Sequence, residues 1–134
     1  MTLPILGRRP FNQESIHVNR RKGFLVIIKY SRNYEDSLIK AYIETFSASP
    51  WNEVWDYKWV QDRVRWIESV PNFIGIVSVQ QQRVCGALLG YGKPYRDKSD
   101  FEIVEMYALP SFQGMGIGEI HKLNLESLVY CISV

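Results

Sequence analysis

Between Phe101 and Ser127 an apolar strand pattern runs into Gln113-Gly114-Met115-Gly116-Ile117-Gly118, and from there into an apolar helical pattern. A strand that enters a helix through a glycine-rich turn gathers free backbone N–H groups and the positive end of a helix dipole at one place. That is an arrangement suited to holding a pyrophosphate. The spacing is Q-x-x-G-x-G. No Lys-Ser or Lys-Thr follows it, which excludes a P-loop. His121 stands where a dinucleotide-binding turn needs its third glycine.

The rest of the chain supplies elements that frame this turn. Residues 1–23 carry Arg8, Arg9, Arg20, Arg21 and Lys22 against the single acid Glu14, without a clear period. This segment is expected to be a solvated basic arm, poorly ordered, ahead of a domain spanning 24–134. Phe24–Tyr30 is β-branched and aromatic, which predicts a strand. Ser37–Phe46 and Asp56–Ser69 predict two helices, the second ended by Val70-Pro71-Asn72. Phe73–Val79 and Arg83–Tyr91 predict a pair of strands joined at Gln80-Gln81-Gln82, with Gly86 and Gly90 marking a bulge or a close backbone approach. A polar loop is expected over 92–100, then the strand 101–108 and a helix from about Gly116 to Ser127.

Composition narrows the function. The chain has 134 residues, 46% hydrophobic and 22% charged, with a formal net charge of +2. That is one domain with an ordinary globular balance, and too little charge to argue for nucleic acid. Cys85 and Cys131 have no metal spacing and no disulfide framework. His17 and His121 are isolated, so no metal site is expected. No run approaches the length of a membrane span and no signal peptide is legible, so a cytoplasmic protein without a membrane partner is the expectation.

With its flanks included, the turn resembles the acetyl-CoA-binding motif of the GCN5-related N-acetyltransferases. Gln113, Gly116 and Gly118 fill the motif's defining positions, Gly114 and Ile117 match frequent choices, and Pro110 fits the strand exit. The resemblance covers about residues 24–127 and is nearest to small bacterial members acting on amines, including the aminoglycoside-modifying branch. It implies an α/β (α+β) fold: a mixed, mostly antiparallel sheet flanked by helices, in the order β-α-α-β-β-β-α. It also implies a fifth strand, a fourth helix and two closing strands, roughly 50–60 residues that this sequence does not contain. Leu128–Val134 is β-prone and fits a strand or the end of the helix.

The resemblance implies acetyl-CoA as cosubstrate and a small-molecule amine as acceptor. The pantetheine arm would lie against the main chain of Met106, Tyr107 and Ala108. Backbone N–H groups of Gln113, Gly114, Met115, Gly116, Ile117 and Gly118 would wrap the pyrophosphate. A carboxylate in the middle of an apolar strand is costly unless it is paired or functional. Glu105 also matches the position where several members place an acid, and is the expected general base. Glu102 is the second candidate, and a salt-bridged or edge-exposed glutamate is the plain alternative. By alternation, Glu105 is expected to share a face with Phe101, Ile103 and Tyr107, and Glu102 with Val104 and Met106. The tyrosine that usually reprotonates the leaving thiolate has no counterpart at Tyr107 or Tyr130. Trp51, Trp55 and Trp59 are spaced as one helical face, a packed stripe or a wall of the acceptor site. Glu53 and Asp56 lie beside it. An open strand edge and the apolar tail lead to the expectation of a homodimer. A shortened module that binds coenzyme A with little or no turnover is the alternative function.

Overall fold

Among the described residues, six strands hydrogen-bond into one sheet in the order β1-β6-β5-β4-β3-β2, each pair antiparallel. The structure is a computed structural model, and it describes residues 2–4, 14–19, 23–96, 98–114 and 116. The strands are β1 (Thr2–Pro4), β2 (Glu14–Asn19), β3 (Gly23–Lys29), β4 (Phe73–Gln80), β5 (Arg83–Tyr95) and β6 (Lys98–Ala108). Two helices, α1 (Glu35–Ser47) and α2 (Tyr57–Ser69), join β3 to β4 and pack on one face of the sheet. The expected order from the first helix pair through β6 is the one observed. The motif helix and the tail Leu128–Val134 lie outside the described residues.

Two parts of the expected solvated arm are strands. Glu14–Asn19 pairs with Gly23–Lys29, and Thr2–Pro4 pairs with Asp100–Glu102. The sheet offered two open edges, and a strand edge is a row of unpaired N–H and C=O groups that any extended segment satisfies. The 92–100 loop is corrected likewise. Gly92 to Tyr95 continue β5 and pair with Phe101 back to Lys98. Lys93 and Pro94 are poor strand formers, but the ladder on a neighbouring strand overrides their local preference.

The helices are amphipathic for a simple reason. α2 buries Val60, Val64 and Ile67, spaced four and three apart, and leaves Asp62, Arg65 and Trp66 between them exposed. α1 turns Leu38, Ile39, Ala41, Tyr42 and Thr45 inward and carries Glu35 and Asp36 in its first turn, where the helix dipole favours acids. These faces form one apolar core with Val77, Val79, Val84, Cys85, Ala87, Leu89, Tyr107 and Leu109 of the sheet. A second cluster, Ile27, Ile74, Ile76, Leu88, Phe101 and Ile103, lies on the opposite face. The central strand β4 is buried on both faces, which is why Phe73–Val79 reads as a nearly unbroken apolar run.

The β4–β5 turn is made by Gln81 and Gln82 with φ of 51° and 63°. Both central residues are left-handed, the geometry that a two-residue hairpin needs, without the glycine that usually supplies it.

One irregularity decides the site. The β5–β6 register shifts between Leu89 and Gly90: Leu89 faces Glu105, but Gly90 faces Ile103. Val104 is therefore an extra residue, a β-bulge. Gly90 is required there, because a Cβ on it would lie 2.0 Å from the Glu102 carbonyl oxygen. Beyond the bulge the alternation is reversed. Phe101, Ile103 and Met106 belong to the face away from the helices, while Val104, Tyr107 and Leu109 belong to the helix side. Glu105 shares its face with Tyr107 as expected, but not with Phe101 and Ile103.

Candidate active site

The end of β6 presents backbone on an open edge. The Leu109 N–H donates to the Cys85 carbonyl at 2.8 Å. In an antiparallel ladder this directs the main-chain groups of Tyr107 and Leu109 toward β5 and those of Met106 and Ala108 to the other side. On that side β1 covers only Asp100–Glu102. Among the described residues, no strand pairs with β6 from Ile103 to Ala108 along this edge. The Ala108 carbonyl oxygen accepts from Thr45 Oγ1 at 3.3 Å and from Gln113 Nε2 at 3.0 Å. Of the three residues expected to meet a pantetheine arm, Met106 and Ala108 offer main chain there. Tyr107 does not: its hydroxyl donates to the Leu38 carbonyl at 3.0 Å and its ring is buried.

The chain leaves β6 through a short 3-10 turn, Pro110–Phe112, anchored by the buried Phe112 ring. Gln113 follows, exposed, with its side chain folded back onto Ala108. Gly114 and Gly116 both have φ of +76°, and a Cβ on either would meet no atom within 4 Å. Glycine is needed for the backbone conformation and not for want of room. Met115, Ile117 and Gly118 lie outside the described residues.

Glu105 sits one residue before this edge with its side chain 11% exposed. Arg63 of α2 donates through Nε to Oε1 in a short ion pair. Burial pushes the Glu105 carboxyl above its ordinary range, and the Arg63 charge and hydrogen bond oppose that push. The Glu53 charge raises it further, and the nearby Tyr42 hydroxyl lowers it. Tyr42 is itself pushed up to about 12, by burial first and then by the Glu105 charge. Its ring packs edge-on against Trp55 and Tyr107, with centroids 5.3 and 5.4 Å away. Glu102 lies across the bulge, 3.4 Å from Lys93 Nζ, at the end of β6 that β1 covers.

The tryptophans do not form one helical stripe. α2 begins at Tyr57, so Trp51 and Trp55 belong to the preceding loop. Trp55 packs into the core beside Tyr42, Trp51 contacts Phe46, and Trp59 and Trp66 are exposed. Glu53 and Asp56 are exposed on the same loop.

No family model matches the sequence. No curated protein matches it either. Solved structures do match. A GNAT family acetyltransferase from Staphylococcus aureus superposes with a TM-score of 0.63 at 9% identity, over 78% of this chain and 76% of the other. An aminoglycoside antibiotic 6'-N-acetyltransferase from Acinetobacter haemolyticus matches with 0.60 at 11%, over 80% and 72%. PaiA N-acetyltransferase from Thermoplasma acidophilum, solved with coenzyme A, matches with 0.59 at 15%, over 82% and 74%.

The fold is that of the GCN5-related N-acetyltransferases. The resemblance read from the glycine turn and the arrangement of the sheet agree on it, by separate routes. Within this N-acetyltransferase fold the structure brings Glu105, Met106, Ala108, Gln113, Gly114 and Gly116 to one end of β6. Sequence reasoning missed Arg63 and Tyr42. A signal for Arg63 was present: it lies three residues after Val60 and one before Val64, on the flank of the buried face of α2. A cation at that position calls for an acidic partner. Among the described residues, no group of three or more His, Cys, Asp or Glu is placed to hold a metal ion. No helix among them is long and apolar enough to cross a membrane.

Proposed function

We propose that this protein is an acetyl-CoA-dependent N-acetyltransferase that moves an acetyl group to the amine of a small molecule. One observation carries the reading. The edge of β6 at Met106 and Ala108, which no described strand covers, runs directly into a turn whose two described glycines are left-handed, with a largely buried carboxylate one residue upstream.

These residues fit the cosubstrate. An extended pantetheine arm, carrying amide N–H and C=O groups, can hydrogen-bond to the outward main chain of Met106 and Ala108 as an added strand does. The Gln113 side chain on the Ala108 carbonyl would give way or reorient as the arm docks. Among the described residues, no atom would crowd a Cβ at Gly114 or Gly116, which suits close approach of a pyrophosphate to the main chain. When bound, acetyl-CoA supplies a thioester whose carbonyl carbon the amine attacks, with coenzyme A leaving as the thiol.

Glu105 accepts the proton that the amine nitrogen loses, directly or through a water. A carboxyl raised by burial is a better base than an exposed one, because its affinity for the proton is higher. Arg63 opposes that rise and favours the ionised form. Tyr107 is committed to Leu38 and takes no part, so proton return to the thiolate falls to solvent or to a group outside the described residues. Glu53, exposed and close enough for its charge to act on Glu105, favours a cationic amine at this end of β6. A homodimer that covers the open edge is compatible with this reading.

The test is a thiol-release assay with acetyl-CoA over a panel of amines, run beside calorimetry with coenzyme A. Amine-dependent thiol release supports the enzyme. Coenzyme A binding without release supports the alternative, a binding module of the same fold. Neither binding nor release refutes both.

A further inference from the structure

Arg63 and Glu105 come from different layers, α2 and β6, and are separated by 42 residues in sequence. Their ion pair is a directed contact: the guanidinium Nε donates to Oε1, and the Arg63 side chain remains 38% exposed while that of Glu105 is 11% exposed. The Tyr42 side chain from α1 lies close enough to the same pair to act on the charge of both partners. Other cations on the two helices pair elsewhere: Arg65 with Glu35, Lys58 with Asp62 and Lys40 with Asp36; Arg32, in the turn before α1, pairs with Glu35 and Glu68. Arg63 is the cation that α2 sends toward the end of β6.

We infer that Arg63 is a positioning residue for Glu105, orienting its carboxylate through Oε1 beside the open edge of β6. The inference rests on Glu105 being the base. From other elements, three charged or titratable groups act on that carboxylate, Arg63 from α2, Tyr42 from α1 and Glu53 from the loop between them, and Tyr107 neighbours it on β6 itself. Burial and Glu53 both favour the neutral acid, and Arg63 is the one full positive charge among the three. With the guanidinium fixed on Oε1, the carboxylate cannot rotate freely, and proton acceptance is confined to the remaining lone pairs. A neutral replacement removes both the charge and the constraint, and a lysine restores the charge alone.

The experiment compares the full chain with Arg63→Gln and Arg63→Lys. One readout is the pH profile of kcat/KM for thiol release. The other is the carbon-13 NMR titration of the Glu105 carboxyl, which reports on that group whether or not it is catalytic. In Arg63→Gln the NMR midpoint and the acid limb of the profile should move together to higher pH by about one unit. A shift of one unit lowers the ionised fraction on that limb about tenfold. The KM for acetyl-CoA should stay within about twofold, because Arg63 pairs with Glu105 and forms no hydrogen bond or ion pair with the described residues of 106–116. Arg63→Lys should bring both midpoints back toward the parent. An unmoved NMR midpoint in Arg63→Gln, with Glu105→Gln still inactive, overturns the positioning role and leaves the base assignment standing. A moved NMR midpoint with an unmoved acid limb, and an active Glu105→Gln, overturns the base assignment and this inference with it.

Discussion

Glu35, the first residue of α1, is held by Arg65 of α2 through both carboxylate oxygens, each 3.0 Å from a guanidinium nitrogen. Gln61 donates to Oε1 as well, and Arg32 lies 3.4 Å from Oε2. This cluster fastens α2 against the start of α1, and so sets where α2 delivers Arg63.

The Arg65 hydrogen bond, more than any other influence, holds the Glu35 carboxyl below its ordinary value. A depressed folded value means that the unfolded chain binds the proton more readily. The contribution to stability is then complete above the unfolded carboxylate value of about 4.3 and is lost as pH falls through the folded value. Urea unfolding midpoints of the parent should therefore fall on acidification below about pH 4.3. Those of Glu35→Gln should fall less over the same range, starting from a lower midpoint at pH 7. Parallel curves for the two proteins would remove Glu35 from the account.

Glu105→Gln should lower kcat about 100- to 10,000-fold, the usual worth of a general base, and leave coenzyme A affinity nearly unchanged. Steady-state rates and calorimetry on one preparation check this. If turnover survives in Glu105→Gln, the same pair of measurements on Glu102→Gln decides whether the charge across the bulge has the role.

Gly116→Asp should abolish measurable coenzyme A binding. It forces a side chain into a left-handed backbone position and puts a carboxylate where a phosphate would approach. Gly116→Ala should weaken binding less, since the Cβ position is open and only the φ of +76° resists it. Calorimetry that ranks Asp and Ala equally, with both variants folded, would place the anion elsewhere.

The Gln81-Gln82 hairpin should be improvable. A left-handed residue costs roughly 1–2 kcal/mol, against a glycine entropy cost of roughly 0.5–1 kcal/mol. Gln81→Asn with Gln82→Gly should thus raise unfolding stability by about 0.5–1 kcal/mol, read from urea midpoints, with the rate of thiol release untouched.

What the sequence determined by itself are the features that a short stretch of chain decides alone. The apolar run Phe73–Val79 marked the strand β4, and Asp56–Ser69, ended by Val70-Pro71-Asn72, marked the helix α2. Gly114 and Gly116 were legible because a left-handed backbone is a requirement of the residue itself, whatever packs around it. Tertiary structure decided the rest. β1 and β2 became strands because sheet edges needed partners, in a segment whose composition argued for solvent. Lys93 and Pro94 were drawn into β5 by the ladder with β6. Placing Val104 as a bulge depended on the register against β5, and a period-two reading had no access to it. That bulge sets Glu105 on the helix side, and the fold then brings Arg63 to it from 42 residues away. The charge state and orientation of a buried carboxylate are set by whatever lies within a few ångströms, and only the folded chain determines which residues those are.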